Sequence, residues 1–230
     1  MAQIGEITMS NKDKRVAKLN HDCFNENSND ANYWGGFIAC DGYMRKCGRR
    51  ISITSKDYEH VEKFAKFIGS KNKITVDRRR DIYGIEAVSE TICNNLKKKY
   101  GVHNKKTYTY TVPDEIKNNS HFWRGCVDAD GTIAKNKTSY KLGLAGTKDK
   151  CEKFKDFIYN FVSKDIKVSL RSQRLKKIDG FSYSATLYGV KNVKDVCDVL
   201  YKNSTMSLDR KLKMYEQIKE RYEHDRNKGK

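Results

Sequence analysis

An internal duplication constrains this chain more than any other feature. Its only two tryptophans, Trp34 and Trp123, lie 89 residues apart, and each opens the same pattern. The first copy reads Tyr33-Trp34-Gly35-Gly36-Phe37-Ile38-Ala39-Cys40-Asp41-Gly42, and the second Phe122-Trp123-Arg124-Gly125-Cys126-Val127-Asp128-Ala129-Asp130-Gly131. Aromatic, Trp, Gly, branched aliphatic, Asp and Gly recur in register. A repeat of this length implies one supersecondary unit used twice.

A second correspondence follows. Ser55-Lys56-Asp57 precedes Glu62-Lys63-Phe64 and Phe67-Ile68, just as Thr147-Lys148-Asp149 precedes Glu152-Lys153-Phe154 and Phe157-Ile158. The offset moves from 92 to 90 between these blocks, so two residues differ at the helix start. Ser55 and Thr147 are expected N-caps, with Asp57 and Asp149 favourable in the first turn. The phenylalanines and isoleucines fall at helical spacing.

Short strands are expected after each Asp-Gly, at Tyr43 to Lys46 with Arg50 to Thr54, and at Thr132 to Lys135 with Ser139 to Ala145. After each central helix two more follow, at Lys73 to Arg78 with Ile82 to Ala87, and at Lys167 to Arg171 with Phe181 to Tyr188. Closing helices are expected near Glu90 to Tyr100 and Asn192 to Lys202. The predicted class is α+β, two pseudo-symmetric αββαββα repeats carrying two antiparallel sheets. The expected organisation is an N-terminal arm (1–32), repeat 1 (33–102), a linker with the only proline, Pro113 (103–119), repeat 2 (120–203), and a C-terminal helix and tail (204–230).

Trp34 to Cys40 and Trp123 to Ala129 are nearly free of charge, apart from Arg124 and Asp128, so both helices are expected to be buried. Gly35, Gly36, Ala39, Gly125 and Ala129 are small enough for two backbones to approach closely. Packed about a pseudo-two-fold axis, the helices would bring Asp41 and Asp130 together at their C-terminal ends. Two adjacent carboxylates repel unless protonated or bridged by hard cations. Helix capping explains Gly42 and Gly131, but not an acid before both.

Lys and Arg number 47 against 29 Asp and Glu, a formal charge of +18, which makes a polyanion the natural partner. The strands alternate polar with apolar residues, as on a sheet with one wet face. Arg50, Ser52 and Thr54 interleave with Ile51 and Ile53. Lys73, Thr75 and Asp77 interleave with Ile74 and Val76, Ser139 and Lys141 with Tyr140 and Leu142, and Lys167, Ser169 and Arg171 with Val168 and Leu170. Together with Arg45, Lys46, Arg49, Arg78, Arg80, Lys135, Lys137, Gln173 and Arg174, the polar members form the expected nucleic-acid face.

Other chemistries lack a signature. The five histidines are scattered, and no Gly-rich phosphate loop or GxSxG elbow is present. The seven cysteines include no CxxC pair, and most of them read as buried thiols of a reducing compartment. No apolar run approaches the ~20 residues of a membrane span, and Met1 to Gly5 lack a secretory signal's features. A soluble intracellular protein is expected.

Both duplicated segments resemble the LAGLIDADG motif, in the forms WGGFIACDG and WRGCVDADG, and the order of elements resembles that fold across residues 33–203. The resemblance implies a monomeric homing endonuclease whose sheets form a saddle over double-stranded DNA. It would need no protein partner, would cut one strand at each side of the minor groove, and would leave short 3′ overhangs. It implies that Asp41 and Asp130, with the backbone carbonyls of Cys40 and Ala129, bind two or three divalent ions. These would be Mg²⁺, replaceable by Mn²⁺, while Ca²⁺ would bind without supporting cleavage. Family members often carry a basic residue near the start of the closing helix, beside the metals, which implies a catalytic role alongside Asp41 and Asp130. Lys191 matches in the second copy, whereas the first offers Ala87 to Glu90 and no Lys, so unequal half-site cutting is expected. Ala39 departs from the motif where Asp128 keeps it. An RNA-binding intron maturase and a non-catalytic DNA-binding regulator of the same fold are the alternatives.

Overall fold

A computed structural model describes residues 19–136, 139–175 and 180–228. Helix α1 (Asn29–Asp41) leads into the hairpin β1 (Tyr43–Met44) and β2 (Arg50–Ser55), followed by α2 (Tyr58–Phe67), β3 (Thr75–Asp77), β4 (Ile82–Val88) and α3 (Glu90–Tyr100). A one-turn 3₁₀ helix (Lys106–Tyr108) sits between the repeats. The second repeat runs α4 (Ser120–Asp130), β5 (Gly131–Asn136), β6 (Ser139–Gly146), α5 (Lys148–Phe161), β7 (Ser169–Arg174), β8 (Phe181–Tyr188) and α6 (Val190–Tyr201). Helix α7 (Asp209–Lys228) follows. The strands form two antiparallel four-stranded sheets of the same order, β1-β2-β4-β3 and β5-β6-β8-β7. This is the α+β architecture expected from the duplication.

Helices α1 and α4 pack on each other through their glycines. A Cβ on Gly36 would lie 2.0 Å from the Phe122 carbonyl oxygen, and one on Gly125 would lie 2.0 Å from the Tyr33 carbonyl oxygen. Because Gly36 corresponds to Gly125 and Tyr33 to Phe122, the contact is reciprocal, as a two-fold relation requires. Gly35 faces elsewhere, against the Tyr100 ring. Trp34 and Trp123 are fully buried on either side of the pair. Ser28 and Asn119 cap the two helices, accepting hydrogen bonds from the Ala31 and Phe122 amides.

Both helices end at a glycine in extended conformation, not left-handed. Gly is needed there because the chain folds back over its own last turn. A Cβ would meet the Ile38 oxygen at 2.8 Å beside Gly42 and the Val127 oxygen at 2.4 Å beside Gly131. One expected cap is corrected. Thr147 does cap α5, accepting the Lys150 amide, but Ser55 is still paired to Tyr83 in the sheet. Helix α2 therefore starts later, with Asp57 at its N-cap position and no side-chain capping bond. Aligned from these true starts, α2 and α5 differ by 90 residues, so His60 occupies the place of Lys150.

The polar-apolar alternation holds in the central strands, where Ile51, Ile53, Leu142 and Leu144 are buried. It fails at the edges. Val76 on β3 and Leu170 on β7 are 51% and 39% exposed, because these outer strands reach past the helices that cover their sheets.

Candidate active site

The helix pair delivers Asp41 and Asp130 to one place, where each feels the other's charge. Asp41 opens to solvent, yet the surrounding protein and then Asp130 push its carboxyl above the usual range. Lys106, Lys211 and Lys150 pull it back. Among the described residues no donor or ion-pair partner reaches the Asp41 carboxylate. Asp130 differs, because Lys150 Nζ lies 2.6 Å from its Oδ2 and 3.3 Å from Cys40 Sγ. Burial opposes the charge on Lys150, but Cys40 and Asp130 beside it outweigh that and raise its pKa.

Two further buried lysines close the C-terminal ends of the central helices. Lys106 Nζ donates to the Cys40 oxygen at 3.2 Å and to the Gly42 oxygen at 2.5 Å. Lys211 Nζ donates to the oxygens of Val127, Asp128 and Gly131 at 2.5, 2.7 and 2.7 Å. A helix C-terminus presents unpaired carbonyls and partial negative charge, so an ammonium is well placed there. Burial lowers the pKa of both, that of Lys211 to about 8.

Two clefts flank the acids. One, of about 410 Å³, is lined on the repeat 1 side by Asp41, Thr54 to Asp57, Ile82 and Arg210. The other, of about 280 Å³, is lined on the repeat 2 side by Asp41, Asp130, Thr147, Lys150 and Phe181, with Lys106 at its edge. The strand ends and helix starts around them correspond between the repeats.

The structure brings together Asp41, Asp130 and the Cys40 and Ala129 segments. Lys191 lies apart, exposed on α6 with its Nζ 2.6 Å from Asp195 Oδ2. The sequence reading missed Lys106, Lys150 and Lys211. A helical projection from Thr147 would have pointed Lys150 inward, one turn after the cap. Lys106 and Lys211 come from the linker and α7, where nothing in the local pattern marks them.

On the sheets, Arg50 and Ser52 share the outer face with Glu86, which pairs with both Arg45 (3.0 Å) and Arg50 (2.8 Å). Thr75 opposes Gly84 on the same face, and its hydroxyl donates to the Gly84 carbonyl. Arg80 pairs with Asp77 at 2.7 Å, and Arg49 with Glu90 at 3.5 Å. Lys46, Lys73 and Arg78 are exposed in loops. On the second sheet Ser139, Lys141, Ser169, Arg171 and Gln173 share one face, with exposed Lys167 just before β7. Lys135 and Arg174 fall in the alternate rows, opposite Tyr140 and Phe181. Lys137 lies outside the described residues. None of the cysteines forms a disulfide; five are buried, Cys40 is half-buried and Cys47 is exposed. No described helix is long and apolar enough to cross a membrane.

Two four-stranded sheets, joined by a Gly-packed helix pair that ends in paired aspartates, define the LAGLIDADG fold. Solved structures with this fold include the meganuclease I-SmaMI bound to uncleaveable DNA (TM-score 0.57, 11% identity, 86% of this chain and 90% of that one). They also include the I-LtrWI LAGLIDADG homing endonuclease bound to target DNA (TM-score 0.56, 12% identity, 91% and 92%). Full-length DUF199/WhiA from Thermatoga maritima shares it too (TM-score 0.53, 13% identity, 88% of this chain), although this chain spans only 64% of that protein. No family model and no curated protein matches the sequence.

Proposed function

We propose that this protein is a site-specific, metal-dependent endonuclease that cuts both strands of a long DNA duplex across the minor groove and leaves short 3′ overhangs. The observation that carries the reading is the pairing of Asp41 and Asp130 at the ends of the two central helices, between two corresponding clefts. I-LtrWI and I-SmaMI, which share the fold, are seen bound to DNA. The charge of +18 and the polar faces of both sheets fit a duplex lying along them.

Hard divalent ions fit the donor set. Among the described residues Asp41 has no cation in contact with it, and desolvation and then the neighbouring Asp130 raise its pKa, a cost that a bound cation would relieve. Asp41 and Asp130, with the carbonyls of Cys40 and Ala129, would hold Mg²⁺, or Mn²⁺ in its place. The bound ions would supply a water activated at neutral pH and charge relief on the departing oxygen. An I-DmoI variant of the same fold is known in complex with its target DNA in the presence of Mg²⁺. Lys106 already occupies one lone pair of the Cys40 oxygen, so Asp41 and Asp130 carry most of the burden. Lys150 steadies the Asp130 carboxylate, and Lys106 and Lys211 each cap the C-terminal carbonyls of one central helix. Lys191 completes the proposed catalytic set as the basic group at the start of α6, and would have to leave Asp195 to act there.

The experiment is cleavage of a randomised duplex library in Mg²⁺ and in Ca²⁺, with Asp41→Asn and Asp130→Asn as controls. One long, partly palindromic site with 3′ overhangs should be recovered in Mg²⁺ alone. Each Asn variant should lose more than about a thousandfold in rate, the upper end for removing one charge-stabilising group, while keeping its affinity for DNA. A second reading, a non-catalytic binder of DNA or intron RNA, is favoured by the 2.6 Å Lys150–Asp130 pair, since an internal ammonium can serve as counter-ion without metal. Selective binding without cutting would decide for it.

A further inference from the structure

We propose that Arg210, from the C-terminal helix α7, is the basic group that meets the DNA phosphate in the cleft beside repeat 1. This rests on the endonuclease reading and deepens it. In the repeat 2 cleft the corresponding cation is Lys150, which arises one turn into α5 and lies on Asp130. The same helical position in repeat 1 is His60. It is buried, its Nε2 lies 3.3 Å from the Tyr33 hydroxyl, and it packs against the Trp34 and Phe37 rings. His60 therefore brings no charge to the cleft. The repeat 1 half lacks the cation that its partner half makes from its own helix.

Helix α7 has no equivalent after repeat 1, and it fills that gap. Arg210 lines the repeat 1 cleft together with Asp41. Its Nε lies 3.2 Å from Asp57 Oδ2, on the segment that starts α2, so its side chain is aimed across the cleft mouth. The helix start that carries it is fixed on both sides. The Leu208 amide donates to buried Asp128, Asp209 pairs with Lys63 at 2.5 Å, and Lys211 holds three carbonyls of the central helix end. A planar guanidinium uses Nε on Asp57 and still offers its Nη donors to a phosphate. Lys56 also lines this cleft. It is exposed, and among the described residues no hydrogen bond or ion pair orients it, which makes it the weaker candidate and a natural control.

The test uses full-length protein and the recovered site with each strand labelled separately. Arg210→Ala should slow one strand by about a hundredfold and accumulate nicked product. Lys150→Met should slow the opposite strand, and Arg210→Lys should restore part of the loss. A readout independent of cleavage comes from binding in EDTA. The salt slope of log affinity should fall by about one in Arg210→Ala. Replacing the scissile phosphate of the slowed strand with a neutral methylphosphonate should weaken wild type but not the variant. Equal slowing of both strands, no slowing, or single-strand slowing by Lys56→Ala instead would overturn the assignment. If wild type cuts nothing, the endonuclease reading fails; if wild type cuts and Arg210→Ala is not strand-selective, only the role of Arg210 fails.

Discussion

The two repeats share a backbone plan and differ in how they satisfy it. In repeat 2, Asp130 has an ammonium at 2.6 Å, Trp123 Nε1 donates to the Lys117 carbonyl, and Asp128 gathers three donors. In repeat 1, among the described residues, Asp41 has no such partner and Trp34 Nε1 is buried without a hydrogen bond, and Ala39 stands where Asp128 does. The outer faces of the sheets diverge as well. Glu86 holds Arg45 and Arg50, whereas the register puts Thr186 at its place in the second sheet. Duplication thus preserves the contacts that pack the helices and relaxes the polar ones, which depend on what the linker and α7 bring to each half.

The largest expected effect comes from making repeat 2 resemble repeat 1 at its buried acid. Asp128 is almost fully buried and accepts from the hydroxyls of Tyr33 (2.9 Å) and Tyr201 (3.0 Å) and the Leu208 amide (2.8 Å). Burial raises its pKa, while Lys211 and these donors counteract the rise. Asp128→Ala strands all three donors and leaves Arg124 and Lys211 short of negative charge. The expected loss is about 3–5 kcal/mol, read as a fall in the urea midpoint. A loss below about 1 kcal/mol would show that α7 does not depend on this anchor.

The glycine contact should be symmetric. Gly36→Ala and Gly125→Ala each drive a methyl into a backbone oxygen, so each should cost about 3 kcal/mol by overpacking. Unequal losses would show that one helix yields and that the pseudo-two-fold is looser than the reciprocal distances imply.

This division explains what the sequence made legible. The fold could be read because Trp34, Gly36 and Asp41 recur as Trp123, Gly125 and Asp130, and short-range periodicity carries the helices and central strands. The paired acids could be read for the same reason. Of the cations around them, Lys106 and Lys211 could not, since they meet the motif helices only through tertiary contacts, and Lys150 could be read only through a helical projection from Thr147. Lys150 was hidden further by the two-residue shift at the start of α2, which disguised its alignment with His60. Lys191 looked favourable because it opens a closing helix, but its own turn supplies Asp195 as a partner.

His60 and Lys150 also separate the repeats in acid. Burial and then Lys63 hold the His60 imidazole down at about 4, and its Nδ1 is buried without a partner. The unfolded chain takes up that proton near 6.5. Stability from His60 is therefore complete above 6.5 and is lost as pH falls toward 4, about 2 kcal/mol of it by pH 5. Lys150, with its pKa raised, stays charged in both states throughout this window. The difference in urea midpoint between pH 7 and pH 5 should be smaller in His60→Gln than in wild type. An equal difference in both proteins would remove His60 as the acid-sensitive element of repeat 1.

The smallest effect tests the sheets. Arg45 and Arg50 are half-exposed, and their pairing with Glu86 is a surface pairing, worth at most about 1 kcal/mol of stability. Glu86→Thr installs the residue that the second sheet carries in register, so the fold should barely respond. If a duplex lies on this face, the change removes one repelled carboxylate and frees two guanidinium groups, and affinity should rise several-fold with a steeper salt slope. A fall in affinity would mean that Glu86 positions the two arginines for base edges and that their direction matters more than their charge. No change in either affinity or slope would show that the first sheet does not meet the polyanion, leaving recognition to Lys141 and Arg171 on the second.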